Sequence, residues 1–327
     1  MKIFPLFAFF VLSLFAAAPK DAGVRLEDIP YPFEVRYINI QNDGQKLEMG
    51  YMDLTPKTPN GKNILLLHGK NFTGAYWEES ATELSKLGYR VIMPDQIGFG
   101  KSSKPENYPY SFRLLAYNTK LLLEHLGVKE AIVIGHSMGG MLATRFAISY
   151  PKSVEKLILE NPIGLEDWQR RVDFRPFDYW LKKELSATPE SMKDYQLKAY
   201  YDGIWKEKYN KWVDLQTSPL KSSNYPLAAR NQALASLMIF TQPVLYEFAD
   251  IKAPTLLIIG QRDKTAIGKE LADEETKKSL GDYPKLGREA NKAIKNSKLI
   301  ELNGIGHMPH IESFEKFIKN VKDFLNE

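Results

Sequence analysis

Hydrophobic and polar positions along the chain fall into three regimes. Between residues 33 and 54 they alternate, with FEVRYINI and KLEMGYMDL on either side of the polar stretch QNDGQ. Alternation with period two predicts an antiparallel hairpin turning at Asn42-Asp43-Gly44. From residue 63 the alternation gives way to short continuous apolar runs: NILLLH (63–68), YRVIMP (89–94), AIVIGH (131–136), KLILEN (156–161), TLLIIG (255–260) and KLIELN (298–303). Strands apolar on both faces belong to a parallel sheet covered by helices. The intervening stretches WEESATELSKLG, SFRLLAYNTKLLLEHLG and MLATRFAISY carry apolar residues at spacings of three and four, and two of them stop at Gly88 and Gly127. Glycine is a common helix terminator. The prediction is an α/β fold with a mostly parallel, doubly wound sheet, its core built from residues 24–161 and 246–327.

The third regime is the interval 162–245, which has no buried-strand run but is rich in aromatics from Trp168 to Trp212. A structureless loop of that length is foreign to a compact domain. We expect a helical cap insertion of about four helices, its aromatic side toward the sheet. At the other end of the chain, Lys2, an apolar run from Ile3 to Phe15 and Ala16-Ala17-Ala18 have the order of a secretory signal, residues 1–18, cleaved near Ala18. The run is shorter than the ~20 residues a spanning helix needs, so the expected product is exported, to periplasm or medium, without a membrane span. With 44 basic and 40 acidic residues dispersed along 327, nothing gathers into a basic block, and nucleic-acid binding gains no support. There is no cysteine, hence no disulfide framework, and no HExxH metal motif.

Candidate chemistry begins at Gly135-His136-Ser137-Met138-Gly139, a G-x-S-x-G pattern between a predicted strand and a predicted helix. That context forces a serine hydroxyl out at the carboxyl end of the strand on a turn too tight for large neighbours. A serine needs a base, and the base needs an orienting acid. The expected chain order is acid, then histidine. His307, in NGIGHMPH after the last strand, is the candidate base, with His310 its competitor. Asp263, three residues past the strand ending at Gly260, is the candidate acid, with Glu160 at the end of the preceding strand as the alternative. Asp250 precedes its strand, and Asp95 in PDQIGFGKSS comes too early, reading as a structural loop carboxylate. Oxyanion donors are expected at the backbone N–H of Met138 and of Lys70, the latter in LLLHGKNF. The Lys70 side chain either faces solvent or adds positive charge favouring an anionic substrate.

Taken in order, HGKN, PDQIGFGKSS, GHSMGG, GQRD and GIGHMPH resemble the α/β-hydrolase superfamily in its branch with a helical cap. The resemblance runs from the hairpin at residue 33 to the final helix around 312–325. It implies a Ser137-Asp263-His307 triad, an acyl-enzyme intermediate and no cofactor. GHSMGG is similar to the elbows of carboxylesterases, carbon–carbon bond hydrolases and cofactor-free haloperoxidases. Serine in place of aspartate at 137 departs from epoxide hydrolases and haloalkane dehalogenases. Met138 departs from the tryptophan-containing elbow of proline iminopeptidases, although Glu166, Asp167 and Glu184 supply cap carboxylates of the kind those enzymes use. The expected activity is that of a carboxylesterase-like serine hydrolase acting on an ester or amide of a small to medium hydrophobic substrate. An iminopeptidase-like enzyme and a non-catalytic binder of hydrophobic ligands are the alternatives. The oligomeric state is not legible in the sequence.

Overall fold

The computed structural model describes residues 23–42 and 44–327; the expected signal at 1–18 lies outside them. Among these described residues, eight strands form one sheet: β1 (Val35–Asn42), β2 (Gln45–Leu54), β3 (Asn63–Leu67), β4 (Arg90–Pro94), β5 (Ala131–His136), β6 (Val154–Glu160), β7 (Thr255–Gly260) and β8 (Ser297–Leu302). Their order is β1-β2-β4-β3-β5-β6-β7-β8. The β1–β2 and β2–β4 pairings are antiparallel, and every pairing from β4 to β8 is parallel. β3, β5 and β7 are buried along nearly their whole length, as continuous apolar runs require. β8 departs from expectation. It lies at the sheet edge with only Leu302 fully buried, so one flank of KLIELN meets solvent instead of a covering strand.

Among the described residues, eleven α-helices surround the sheet. In the core they are α1 (Glu78–Lys86), α2 (Phe112–His125) and α3 (Met138–Ser149), followed in the insertion by α4 (Phe177–Leu185), α5 (Pro189–Ala199), α6 (Asn210–Thr217) and α7 (Tyr225–Thr241). After β7 come α8 (Glu274–Ser279), α9 (Tyr283–Ala293), α10 (Pro309–Glu312) and α11 (Phe314–Leu325). α1 and α2 run out at Gly88 and Gly127, whose φ angles of +91° and +68° suit glycine and few other residues. No described helix is long and apolar enough to cross a membrane.

The sheet separates two apolar layers. One face packs Phe112, Leu142 and Phe146 of α2 and α3, and the other packs Trp77, Phe317 and Val321 around α1 and α11. The insertion straddles both: Trp168, Trp180 and Phe240 join the first layer, while Tyr201, Tyr209 and Trp212 join the second. Its aromatics do not all face inward, for Phe174 and Tyr195 are exposed. Tyr201 and Tyr209 stack on each other at 3.7 Å. Four helices therefore cover the carboxyl ends of the strands, held to the core on both sides.

Candidate active site

At the end of β5 the backbone reverses so sharply that Ser137 takes φ +57° and ψ −121°. This region disfavours L side chains, costing about 1–3 kcal/mol, and persists only where the surroundings enforce it. The enforcement is steric. A Cβ on Gly135 would stand 2.2 Å from the Gly139 carbonyl oxygen, one on Gly139 2.1 Å from the Leu67 oxygen, and one on Gly140 2.5 Å from Pro162 Cβ. β5, α3 and the end of β3 approach so closely that only glycine fits at these positions.

His307 and Asp263 come to this serine from 170 and 126 residues farther along the chain. His307 Nδ1 donates to Asp263 Oδ2 at 2.6 Å, leaving Nε2 to accept from Ser137 Oγ at 3.0 Å. Burial works to raise the Asp263 carboxyl. The charge of His307 and hydrogen bonds from His307 and Thr265 outweigh it and hold the group below its usual range. Thr265 N–H donates to Oδ1 at 2.8 Å, and Asn161 Nδ2 donates to Oδ2 at 2.8 Å. Asn161 escaped the sequence reading. It sits at φ +34° beyond β6, and its Oδ1 takes the Gly260 N–H at 2.8 Å. The available signal was a polar residue before proline at the end of a buried strand.

The loop after β3 lies directly over the serine, since a Cβ on Gly69 would be 3.1 Å from Ser137 Cβ. The Gly69 carbonyl accepts from His68 Nδ1 at 2.9 Å and from Phe72 N–H at 3.2 Å, while His68 Nε2 accepts from Gln96 N–H at 3.0 Å. Gly69 C=O and Lys70 N–H share one planar trans peptide, so anchoring the oxygen fixes the direction of the N–H opposite to it. Met138 N–H is the first of α3, where helix amides have no intrahelical partner. The Lys70 side chain neither faces solvent nor presents an unmatched charge. Its Nζ pairs with Glu184 of α4 at 2.7 Å, with both side chains largely enclosed.

The competing assignments separate cleanly. Glu160 Oε1 accepts from the backbone N–H of His310 at 2.7 Å and pairs with His310 Nδ1 at 2.9 Å. No hydrogen bond joins it to His307, whose own Nδ1 goes to Asp263. Burial pushes the Glu160 carboxyl up to about 7, against the opposing pull of His136 and the His310 amide. Asp95 is structural, as expected: its oxygens take the N–H groups of Gly74 and Lys101 and the Tyr31 hydroxyl.

The insertion reaches the site through Tyr200, just past α5. Its ring stacks on the His307 imidazole at 4.8 Å and 23°, and its hydroxyl accepts from Asn71 Nδ2 at 2.8 Å. Under this roof Ser137 is 7 % exposed and His307 1 %. A cavity of about 400 Å³ adjoins the loop at Lys70 and Asn71, walled by Trp180, Met192, Tyr195 and Ile267. Among the described residues no group of three or more His, Asp or Glu is placed to hold a metal ion.

Comparison with known proteins extends this geometry. The sequence profile described as alpha/beta hydrolase fold matches residues 62–314. A solved structure of a probable hydrolytic enzyme from Pseudomonas aeruginosa PAO1 superposes with a TM-score of 0.91 at 47 % identity, covering 92 % of this chain and 97 % of that one. Proline iminopeptidase of Clostridioides difficile is 27 % identical over 84 % of this chain and 94 % of its own length. The 2-hydroxy-6-oxo-6-phenylhexa-2,4-dienoate hydrolase of Comamonas testosteroni is 29 % identical over 62 % of this chain and 72 % of its own length.

Proposed function

Because the chain belongs to the α/β-hydrolase family, we propose that it is a serine hydrolase cleaving an ester, and secondarily an amide, of a small to medium, neutral hydrophobic substrate. The observation that carries this reading is the continuous line Ser137 Oγ, His307, Asp263 beside two backbone amides. In it, Ser137 Oγ attacks the carbonyl carbon while His307 Nε2 takes its proton, and Asp263 stabilises the imidazolium. The N–H groups of Lys70 and Met138 hold the oxyanion. His307 then protonates the leaving group, and on the second pass draws a proton from water that attacks the acyl-enzyme.

Substrate class follows from the cavity. Its ammonium groups are matched, Lys70 by Glu184 and Lys183 by Glu270, so an apolar, uncharged acyl or aryl group fits it. A peptidase reading asks for a carboxylate open to a substrate amine. Glu166 is taken by Gly281 N–H and Trp168 Nε1, Asp167 by Tyr246 and Gln169, and Glu184 by Lys70. We also propose export with cleavage near Ala18, which the mass of the mature chain recovered from outside the cytoplasm would test.

The function is tested with p-nitrophenyl esters of graded chain length beside an aminoacyl p-nitroanilide. We expect ester turnover greatest for short and medium acyl groups, lost in Ser137→Ala, with the anilide a poor substrate. Anilide turnover exceeding ester turnover would replace this reading with the peptidase one.

A further inference from the structure

Below the serine runs a second set of hydrogen bonds, carried by two side chains outside the reacting line. Tyr76 lies in the short helical turn Gly74–Trp77 that follows the Lys70 loop, and it is 2 % exposed. Its hydroxyl oxygen accepts from Gly69 N–H at 2.9 Å. The same hydroxyl lies 3.0 Å from His136 Nδ1, and His136 Nε2 lies 2.8 Å from the backbone carbonyl oxygen of His307. The directions of these bonds follow by elimination. A carbonyl only accepts, so His136 Nε2 carries the ring proton. Nδ1 is then bare and must be met by the tyrosine O–H, which leaves the tyrosine oxygen free to accept from Gly69. Burial drives the His136 imidazole well below its usual range and the Tyr76 hydroxyl well above its own, so both stay neutral and the pattern keeps one sense.

One chain of bonds therefore joins three parts of the site. It begins at the peptide preceding the Lys70 donor, passes through the residue preceding Ser137, and ends on the base residue itself. We infer that Tyr76, acting through His136, is a positioning residue for the proposed hydrolysis, setting the oxyanion loop and His307 in register with the nucleophile elbow. The inference rests on the serine-hydrolase reading. Neither ring lines the cavity, so their influence passes through geometry and not through substrate contact. Oxyanion donors act at about 2.7–3.1 Å from the developing charge, and a shift of ~1 Å in such a site costs on the order of a hundredfold. Tyr76→Phe leaves the Gly69 N–H without its acceptor in a dry interior, where an unpaired amide moves to seek another partner.

The experiment compares Tyr76→Phe, His136→Gln and the double variant in the full mature chain, with kcat and KM for a p-nitrophenyl ester and the affinity of a trifluoromethyl ketone that forms a tetrahedral adduct. We expect kcat to fall about 10- to 100-fold, KM to stay within about twofold, and ketone affinity to fall in step with kcat. Because both substitutions cut the same link, the double variant should be no worse than the poorer single one. If Tyr76→Phe does not fold, His136→Asn tests the other half: it keeps an acceptor near Nδ1, lacks the Nε2 donor to His307, and is expected to slow phosphonylation of Ser137 by a fluorophosphonate about tenfold. Parental kcat in Tyr76→Phe, or losses that multiply in the double variant, would overturn the inference while an active parent left the hydrolase reading standing. A parent chain that neither turns over esters nor reacts with the phosphonate would instead remove that reading, and this inference with it.

Discussion

His307 and His310 stand three residues apart, both buried, and each turns Nδ1 to a carboxylate, at 2.6 Å to Asp263 and 2.9 Å to Glu160. What differs is the far side of each ring. His307 Nε2 meets the Ser137 hydroxyl. His310 Nε2 meets no hydrogen-bonding group, and its ring is packed against Trp77 at 4.3 Å and Tyr76 at 4.6 Å. The carboxylates differ as well. Asp263 receives donors from His307, Thr265 and Asn161 and is held ionised, whereas Glu160 has one oxygen without a partner and is pushed up to about 7. A histidine–carboxylate couple becomes a base when its outer nitrogen faces a hydroxyl and its carboxylate is fully supported. Pairing alone gives a buried strut.

Substitutions at the two pairs should differ in effect, from the largest to the smallest. Ser137→Ala removes the hydroxyl that distinguishes the first pair and should lower kcat about 10⁶-fold, read in an ester assay beside an unchanged melting curve. Asp263→Asn should cost about 10⁴-fold, whereas the matching Glu160→Gln should leave kcat within about tenfold. The second carboxylate speaks in stability instead. Between its usual value of 4.5 and about 7 the folded chain retains a proton on Glu160 that the unfolded chain has lost. Its contribution is therefore greatest below pH 4.5 and declines as pH rises to 7. Glu160→Gln should gain stability relative to the parent chain across that window, seen in thermal melts at successive pH values; a difference independent of pH would contradict the assignment. Asn161→Ala, which deprives Asp263 of one donor, should reduce kcat about 10- to 100-fold. Phe174→Ser, on the exposed side of the insertion, should shift stability by no more than about 0.5 kcal/mol.

Legibility followed the range of the forces involved. β5 and β7 match their apolar runs residue for residue, because a strand covered on both faces must be apolar throughout. The elbow was legible for a similar reason: its glycines are imposed by contacts within a few residues and with the ends of the two flanking strands, at Leu67 and Pro162. α9 (YPKLGREANKA) went unread because its apolar face is thin, with Tyr283, Leu286, Gly287 and Ala290 buried against the sheet. In the insertion, helices were foreseen but not their partners. The pairing of Lys70 with Glu184 and the stacking of Tyr200 on His307 join residues more than a hundred positions apart, and no local pattern encodes them. Asn161 was hidden inside an apolar run that drew attention to its strand and away from its last residue.

The choice between His307 and His310 as the base that activates Ser137 is decided by making the same substitution at both positions. Asparagine keeps a donor near Nδ1 for either carboxylate and deletes Nε2. Labelling by a fluorophosphonate, followed by mass mapping of the modified residue, should find Ser137 modified in the parent chain and in His310→Asn, and unmodified in His307→Asn. Undiminished labelling of Ser137 in His307→Asn, with loss in His310→Asn, would make His310 the base instead.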